Sequence, residues 1–222
     1  MIRPPSDGRA HSPQLVSLSH ERLAGIFRRE TYLVSGDPSL ARVLICEHPF
    51  SVTVGRHGSV SEVRHFPHEA VHYVGRGGQA FPHGPGQVAL YPIFPLDAWS
   101  MTASDHVARL LRIAQTIARQ YDVPTTISGD EARVYAGSRC LAAVGVAVHR
   151  GVSSYGLILN VNPDLELLSI VRMNERPMTS LVRESPIRVP DAAVPVAMIH
   201  AITRLYPDFS PRASSGSFDS TC

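Results

Sequence analysis

Residues 76–87 read Arg76-Gly77-Gly78-Gln79-Ala80-Phe81-Pro82-His83-Gly84-Pro85-Gly86-Gln87. From Gly75 to Gly86 the segment holds five glycines and two prolines. Glycine lets backbone N–H groups come close to a ligand and tolerates positive φ. Arg76 adds a rigid fork of donors, and His83 can donate or accept near neutral pH. Such a loop can wrap the polar head of a ligand, and it can equally be an irregular connection. It matches neither the phosphate-binding P-loop nor the dinucleotide fingerprint.

On either side lie short apolar runs. Val88–Ile93 predicts a strand leaving the loop, and Val71–Val74 a strand before it. Val43–Cys46 and Val52–Val54 predict two strands joined by a turn at Glu47-His48-Pro49. Upstream, Leu15, Leu18, Leu23, Ile26 and Phe27 recur at helical spacing after a Ser12-Pro13 start signal. Downstream, residues 103–121 carry one apolar face (Val107, Leu110, Leu111, Ala114, Ile117, Ala118, Tyr121), with Ser104 expected as N-cap. Arg109, Arg112 and Arg119 on this helix read as a solvated face or as a contact for an acidic partner. Strands are expected around Arg133–Tyr135, Leu141–Val148 and Tyr155–Val161, with a turn at Gly151. A last helix is expected over Asp191–Tyr206, capped by Asp191, with Pro195 in its first turn. Residues 1–12 read as a disordered lead, 13–207 as a single α+β domain with a mixed or antiparallel sheet flanked by helices, and 208–222 as a mobile tail. Phe94 and Trp99 are expected near the exit of the glycine-rich loop, and His48 and His57 as loop histidines.

The chain has 222 residues, 44% of them apolar, and a net charge of +2, which points to no nucleic-acid partner. No apolar run is long enough to span a membrane, and no secretory signal is apparent at the start. All 21 basic residues are arginine. The absence of lysine excludes a lysine base, nucleophile or Schiff-base partner. The three cysteines, Cys46, Cys140 and Cys222, are too scattered for a disulfide framework or a zinc site. A cytoplasmic location is expected, with no metal and no cofactor.

Arg76-Gly77-Gly78-Gln79, then His83-Gly84-Pro85-Gly86-Gln87 and Tyr91-Pro92-Ile93, closely resemble the signature of lipoyl(octanoyl) transferases, within the biotin/lipoate protein ligase superfamily. Glu47-His48-Pro49, Thr53-Val54-Gly55-Arg56, Ala143-Val144-Gly145, and Gly156-Leu157-Ile158-Leu159-Asn160-Val161-Asn162 with Asp164-Leu165 resemble its flanking motifs. The resemblance covers roughly residues 15–175. It implies the biotin/lipoate ligase fold. It also implies transfer of an octanoyl group from acyl carrier protein to a lysine of a lipoyl domain, in 2-oxoacid dehydrogenases or the glycine cleavage H protein. A substrate site is implied at Arg76, Gly77, Gly78, Gln79, Ala80, Phe81, Pro82, His83 and Gly84, with Ala143, Val144, Gly145, Gly156, Leu157 and Ile158.

The resemblance also exposes departures. The family works through a cysteine thioester and a lysine that lowers the thiol's pKa. The lysine position falls on Cys140, the cysteine position falls on Asn174, and Tyr155 stands in place of a histidine. Three readings follow. Cys140 could be a relocated nucleophile, with His83 or Arg76 stabilising its thiolate. The protein could be an inactive relative that binds an acyl chain, acyl carrier protein or a lipoyl domain. Or it could activate an acid with ATP, which the lack of lysine disfavours. Arg139, next to Cys140, is expected to face away from the pocket, because successive strand side chains alternate.

Overall fold

The computed structural model describes residues 15–63, 70–171, 176–190 and 192–210. Asn174, Asp191, Cys222 and the disordered lead expected over 1–12 lie outside these residues. Six antiparallel strands form the main sheet in the order β1 (Arg42–Cys46), β5 (Gln87–Ile93), β9 (Val152–Asn160), β8 (Arg139–His149), β7 (Arg133–Ala136) and β6 (Thr126–Ser128). A smaller three-stranded sheet places β2 (Ser51–Val54) between a parallel β3 (Val71–Tyr73) and an antiparallel β4 (Ala80–His83). The arrangement is α+β, as the resemblance implies.

The long hairpin β8–β9 is the centre of the main sheet. Arg150 and Gly151 both take positive φ, 52° and 73°, between the paired His149 and Val152. That is a two-residue primed turn, whose twist matches the strands it joins. Alternation along the hairpin then sorts side chains to two faces. Leu141, Leu157 and Leu159 enter the core beneath α2 (Ala103–Gln120) and α5 (Ala193–Leu205), whereas Cys140 and Ile158 enter the core on the opposite side. Helix α2 supplies Leu110, Leu111, Ile113, Ala114 and Ile117 to the first core. Fully burying each large apolar side chain contributes about 1.5–3 kcal/mol. Short helices α3 (Leu165–Leu168) and α4 (Leu181–Glu184) complete the set.

Several local expectations need correcting. The first helix, α1, runs over His20–Gly36 with Ser19 as N-cap, so Leu15–Leu18 precede it. Leu18 N instead donates to Glu47 O at 2.9 Å, tying the entry of α1 to the turn after β1. The cap of α2 is Thr102, closed reciprocally by Asp105, because the Thr102 hydroxyl reaches the Asp105 N–H that Ser104 cannot satisfy. Strands β1 and β2 do not pair with each other; the chain changes sheet between them. Within the glycine-rich segment, Ala80–His83 is a strand. Pro82 is tolerated there because β4 is an edge strand. Phe94 and Trp99 pack on one another at 4.9 Å, and Phe94 also meets Tyr206 and Phe209 beyond α5, away from the loop. Phe209 is buried, so ordered packing extends past residue 207. Arg109 is not simply solvated. It donates to Leu205 O at 2.9 Å and lies over the Tyr206 ring.

Candidate active site

A cleft of about 260 Å³ opens between the small sheet and the β8–β9 hairpin. Arg76, Gly78, Gln79, Ala80, Phe81 and His83 line one wall, and Ala143, Val144, Gly145, Gly156 and Ile158 the other. The structure thus brings together the two stretches singled out in the sequence. Gly77, Pro82, Gly84 and Leu157 do not line the cleft. Gly77 N donates to Val146 O at 2.8 Å and fastens the loop to β8. Leu157 turns to the α2 side of the sheet.

Arg76 is the keystone of the loop. Its Nη2 donates to Thr53 O at 2.9 Å and to Thr53 Oγ1 at 2.7 Å, and its Nε to the same hydroxyl at 3.2 Å. Its Nη1 donates to Gly77 O at 2.9 Å. The stem lies on Gly145, where an added Cβ would come within 2.9 Å of Arg76 Cδ. Only glycine lets the guanidinium pass so close to β8. Burial lowers the guanidinium to about 10, still cationic at neutral pH. The motif residue Gln87 acts below the cleft. It accepts from Gly84 N at 2.9 Å and donates to Asn160 Oδ1 at 2.8 Å, fixing the turn from β4 into β5.

Seven residues that the sequence patterns did not assign to the site also reach the cleft: His20, Thr53, Tyr91, Asp130, Glu131, Arg133 and Tyr155. The exposed His57, expected as a plain loop histidine, borders it too. Tyr155 holds a φ of 59° inside β9, an unusual conformation for an aromatic residue and one that collects at functional sites. His48 lies in the loop between β1 and β2, as expected, but not on the surface. It is buried, donates from Nδ1 to Leu18 O at 2.6 Å, accepts at Nε2 from the Tyr91 hydroxyl at 2.7 Å, and stacks on His20 with ring centroids 4.5 Å apart. Among the described residues, no group of three or more His, Cys, Asp or Glu is placed to hold a metal ion. No helix among them is long and apolar enough to cross a membrane.

Cys140 is not among the residues lining the cleft. It is fully buried, and its thiol turns toward Ala142 O at 3.6 Å. Burial pushes the thiol up to about 11, against the pull of Arg133 and Arg176. The cations it feels are therefore these two, in place of Arg76 or His83. Its neighbour Arg139 forms a two-pronged ion pair with Glu184, both contacts 2.7 Å, and so is occupied outside the cleft. Cys140 is expected to resist iodoacetamide at pH 7.5 in the native protein and to react only after denaturation. Mass spectrometry of the alkylated peptide checks this, and rapid native labelling would refute it.

Residues 27–201 match the family model described as the lipoyl protein ligase A/B catalytic domain. An octanoyltransferase of Syntrophobacter fumaroxidans is 32% identical over 135 residues, covering 58% of this chain and 59% of that protein. An octanoyltransferase of Magnetococcus marinus is 31% identical over 167 residues, covering 74% of this chain and 78% of that protein. The bi-partite lipoate protein ligase of Thermoplasma acidophilum superposes with a TM-score of 0.61 at 15% identity, over 88% of this chain and 84% of that one. The fold and cleft define a protein of the lipoate-ligase architecture. The chain belongs to the lipoyl protein ligase A/B catalytic domain family.

Proposed function

We propose that this protein transfers an octanoyl group from acyl carrier protein to the lysine of a lipoyl domain, in protein lipoylation. The observation that carries this is the cleft itself. Its walls are the family's two motif segments, held against one another by Arg76 and Gly77. Phe81, Val144 and Ile158 offer apolar surface to an acyl chain, and Arg76, His83 and Tyr91 offer polar groups to a thioester head. Octanoyltransferase relatives at about 30% identity support the same reaction. The partners are an acyl carrier protein and the lipoyl domains of 2-oxoacid dehydrogenases or the glycine cleavage H protein. The sparse cysteines suit a cytoplasmic setting.

The route through Cys140 draws little support from its geometry, because a thiol sealed in the core and held protonated is a poor nucleophile. The test is direct. Purified protein is incubated with octanoyl-acyl carrier protein and an apo lipoyl domain, and the lipoyl domain is weighed by mass spectrometry. Octanoylated domain is expected. An unmodified domain at protein concentrations equal to the domain's would refute the proposal.

A further inference from the structure

Hydrogen bonds around the cleft fix the tautomers of two of its histidines. Thr53 Oγ1 accepts from Arg76 twice, and an arginine can only donate. The hydroxyl proton of Thr53 therefore goes to its remaining partner, His83 Nε2, at 2.8 Å. His83 Nε2 is an acceptor, so its proton sits on Nδ1. That Nδ1–H is buried with no partner.

His20 is locked the opposite way. Ser51 Oγ donates to Pro49 O at 2.9 Å, which uses its only proton. Ser51 therefore accepts from His20 Nε2–H at 3.1 Å. The lone pair of His20 lies on Nδ1, which is also buried without a partner. Both rings line the same cleft, with centroids 4.7 Å apart in an edge-on arrangement. Two rings in the wall of the cleft thus each carry a buried unsatisfied atom, a donor on His83 and an acceptor on His20. A buried polar atom left without a partner costs about 1–3 kcal/mol, so two such atoms on neighbouring rings of the cleft wall would each gain from a polar group of a ligand.

The structure assigns His20 Nδ1 as the proton acceptor and His83 Nδ1–H as the oxyanion donor of a direct transfer, in which octanoyl passes from carrier thioester to lysine amine without an acyl-enzyme. This rests on the octanoyl-transfer function proposed above. The incoming lysine reacts as its neutral amine. Its nitrogen bonds to the thioester carbon, and the carbonyl π pair moves to oxygen, where His83 Nδ1–H holds it. The now cationic nitrogen passes a proton to His20 Nδ1. The carbonyl re-forms, the carbon–sulfur bond breaks, and the departing sulfur takes the proton back from His20. The products are an amide and a free thiol, and His20 returns neutral. The assignment accounts for a family cleft in which the lysine position holds a buried cysteine.

Burial, followed by the neighbouring imidazoles and Arg76, keeps both rings neutral, the form each role requires. The oxyanion on His83 would supply the negative charge that favours a proton on His20.

The experiment measures octanoyl transfer to the lipoyl domain by wild type, His20→Ala and His83→Ala. It adds mass analysis of the protein after exposure to octanoyl-acyl carrier protein alone. His20→Ala is expected to slow transfer by about 10²–10⁴-fold, with recovery on adding free imidazole, which a merely structural defect would not show. His83→Ala is expected to slow it by about 10²–10³-fold. Nitrogen-15 imidazole spectra of the wild type supply a readout independent of any variant's folding. His20 should carry its proton on Nε2 and His83 on Nδ1, and the reverse tautomer at either ring overturns the assignment. Wild type that transfers octanoyl through a trapped octanoyl-cysteine overturns the direct route while leaving the function intact. A His20→Ala protein with wild-type rate does the same. Wild type that transfers nothing removes the function and this proposal together.

Discussion

Acidified from pH 7, the protein is expected to unfold between about pH 5 and pH 4. Burial, with His48, His72 and Arg76 nearby, lowers His20 to about 3, and burial with Arg109 nearby lowers His106 to about 4. Both are imidazoles whose folded pKa lies below the unfolded value of 6.5. As pH falls below 6.5 the unfolded chain takes up protons that the folded protein refuses, so stability present above that pH is lost progressively. At pH 4 each of these two histidines has removed roughly 3 kcal/mol. The sum, about 6 kcal/mol, is comparable with the 5–15 kcal/mol that holds a typical domain together. His48 and His83, also lowered, add in the same direction. The single tryptophan, Trp99, packs on Phe94, which also meets the His106 ring, so its fluorescence reports the transition. A native spectrum persisting to pH 3 would contradict this account.

Replacement of Arg76 by lysine is expected to lower stability by about 3 kcal/mol and to abolish detectable octanoyl transfer. The guanidinium spans three acceptors at once: Thr53 O, Thr53 Oγ1 and Gly77 O. An ammonium is a point charge on a flexible stem and cannot hold two sides of a fork in one plane. Left without the fork, Thr53 loses the interaction that orients its hydroxyl toward His83, and the loop loses one of its ties. Arg76→Met removes every bond and is expected to cost more, about 3–5 kcal/mol. For a chain of this size a loss of 3 kcal/mol lowers the melting temperature by roughly 6–12 °C. Calorimetry of both variants measures it, and an Arg76→Lys protein that melts with the wild type would show that charge alone suffices.

Local pattern and distant contact divide what the sequence disclosed from what it hid. The β8–β9 hairpin was legible because Gly151 interrupts two apolar runs, and α2 because its buried residues follow the helical period. The strand Ala80–His83 was hidden because Pro82 and the surrounding glycines speak for loop, and only its place at a sheet edge makes proline admissible. The division into two sheets was hidden because nothing local prevents β1 and β2 from forming a hairpin. In the site, Arg76, His83 and the Ala143–Gly145 wall stand in contiguous motifs. His20 does not. It opens a helix far from His83 in the chain, and the pairing of Leu18 with Glu47, with its own bond to Ser51, carries it to the cleft. Arg133 likewise reaches the cleft through its register opposite Ala143. No run of residues around either one announces a role.

The cations that line the cleft, Arg76 and Arg133, are guanidiniums, and the chain has no lysine anywhere. A protonated guanidinium carries no lone pair to offer a thioester. A container for an activated acyl group meets a hazard of its own making, because any amine in its wall could be acylated into a permanent amide. Here the walls hold imidazole and hydroxyl groups, whose acyl derivatives an amine can still discharge, and no side-chain amine at all. An acyl group held in this cleft can end as a stable amide only on an amine that another molecule brings.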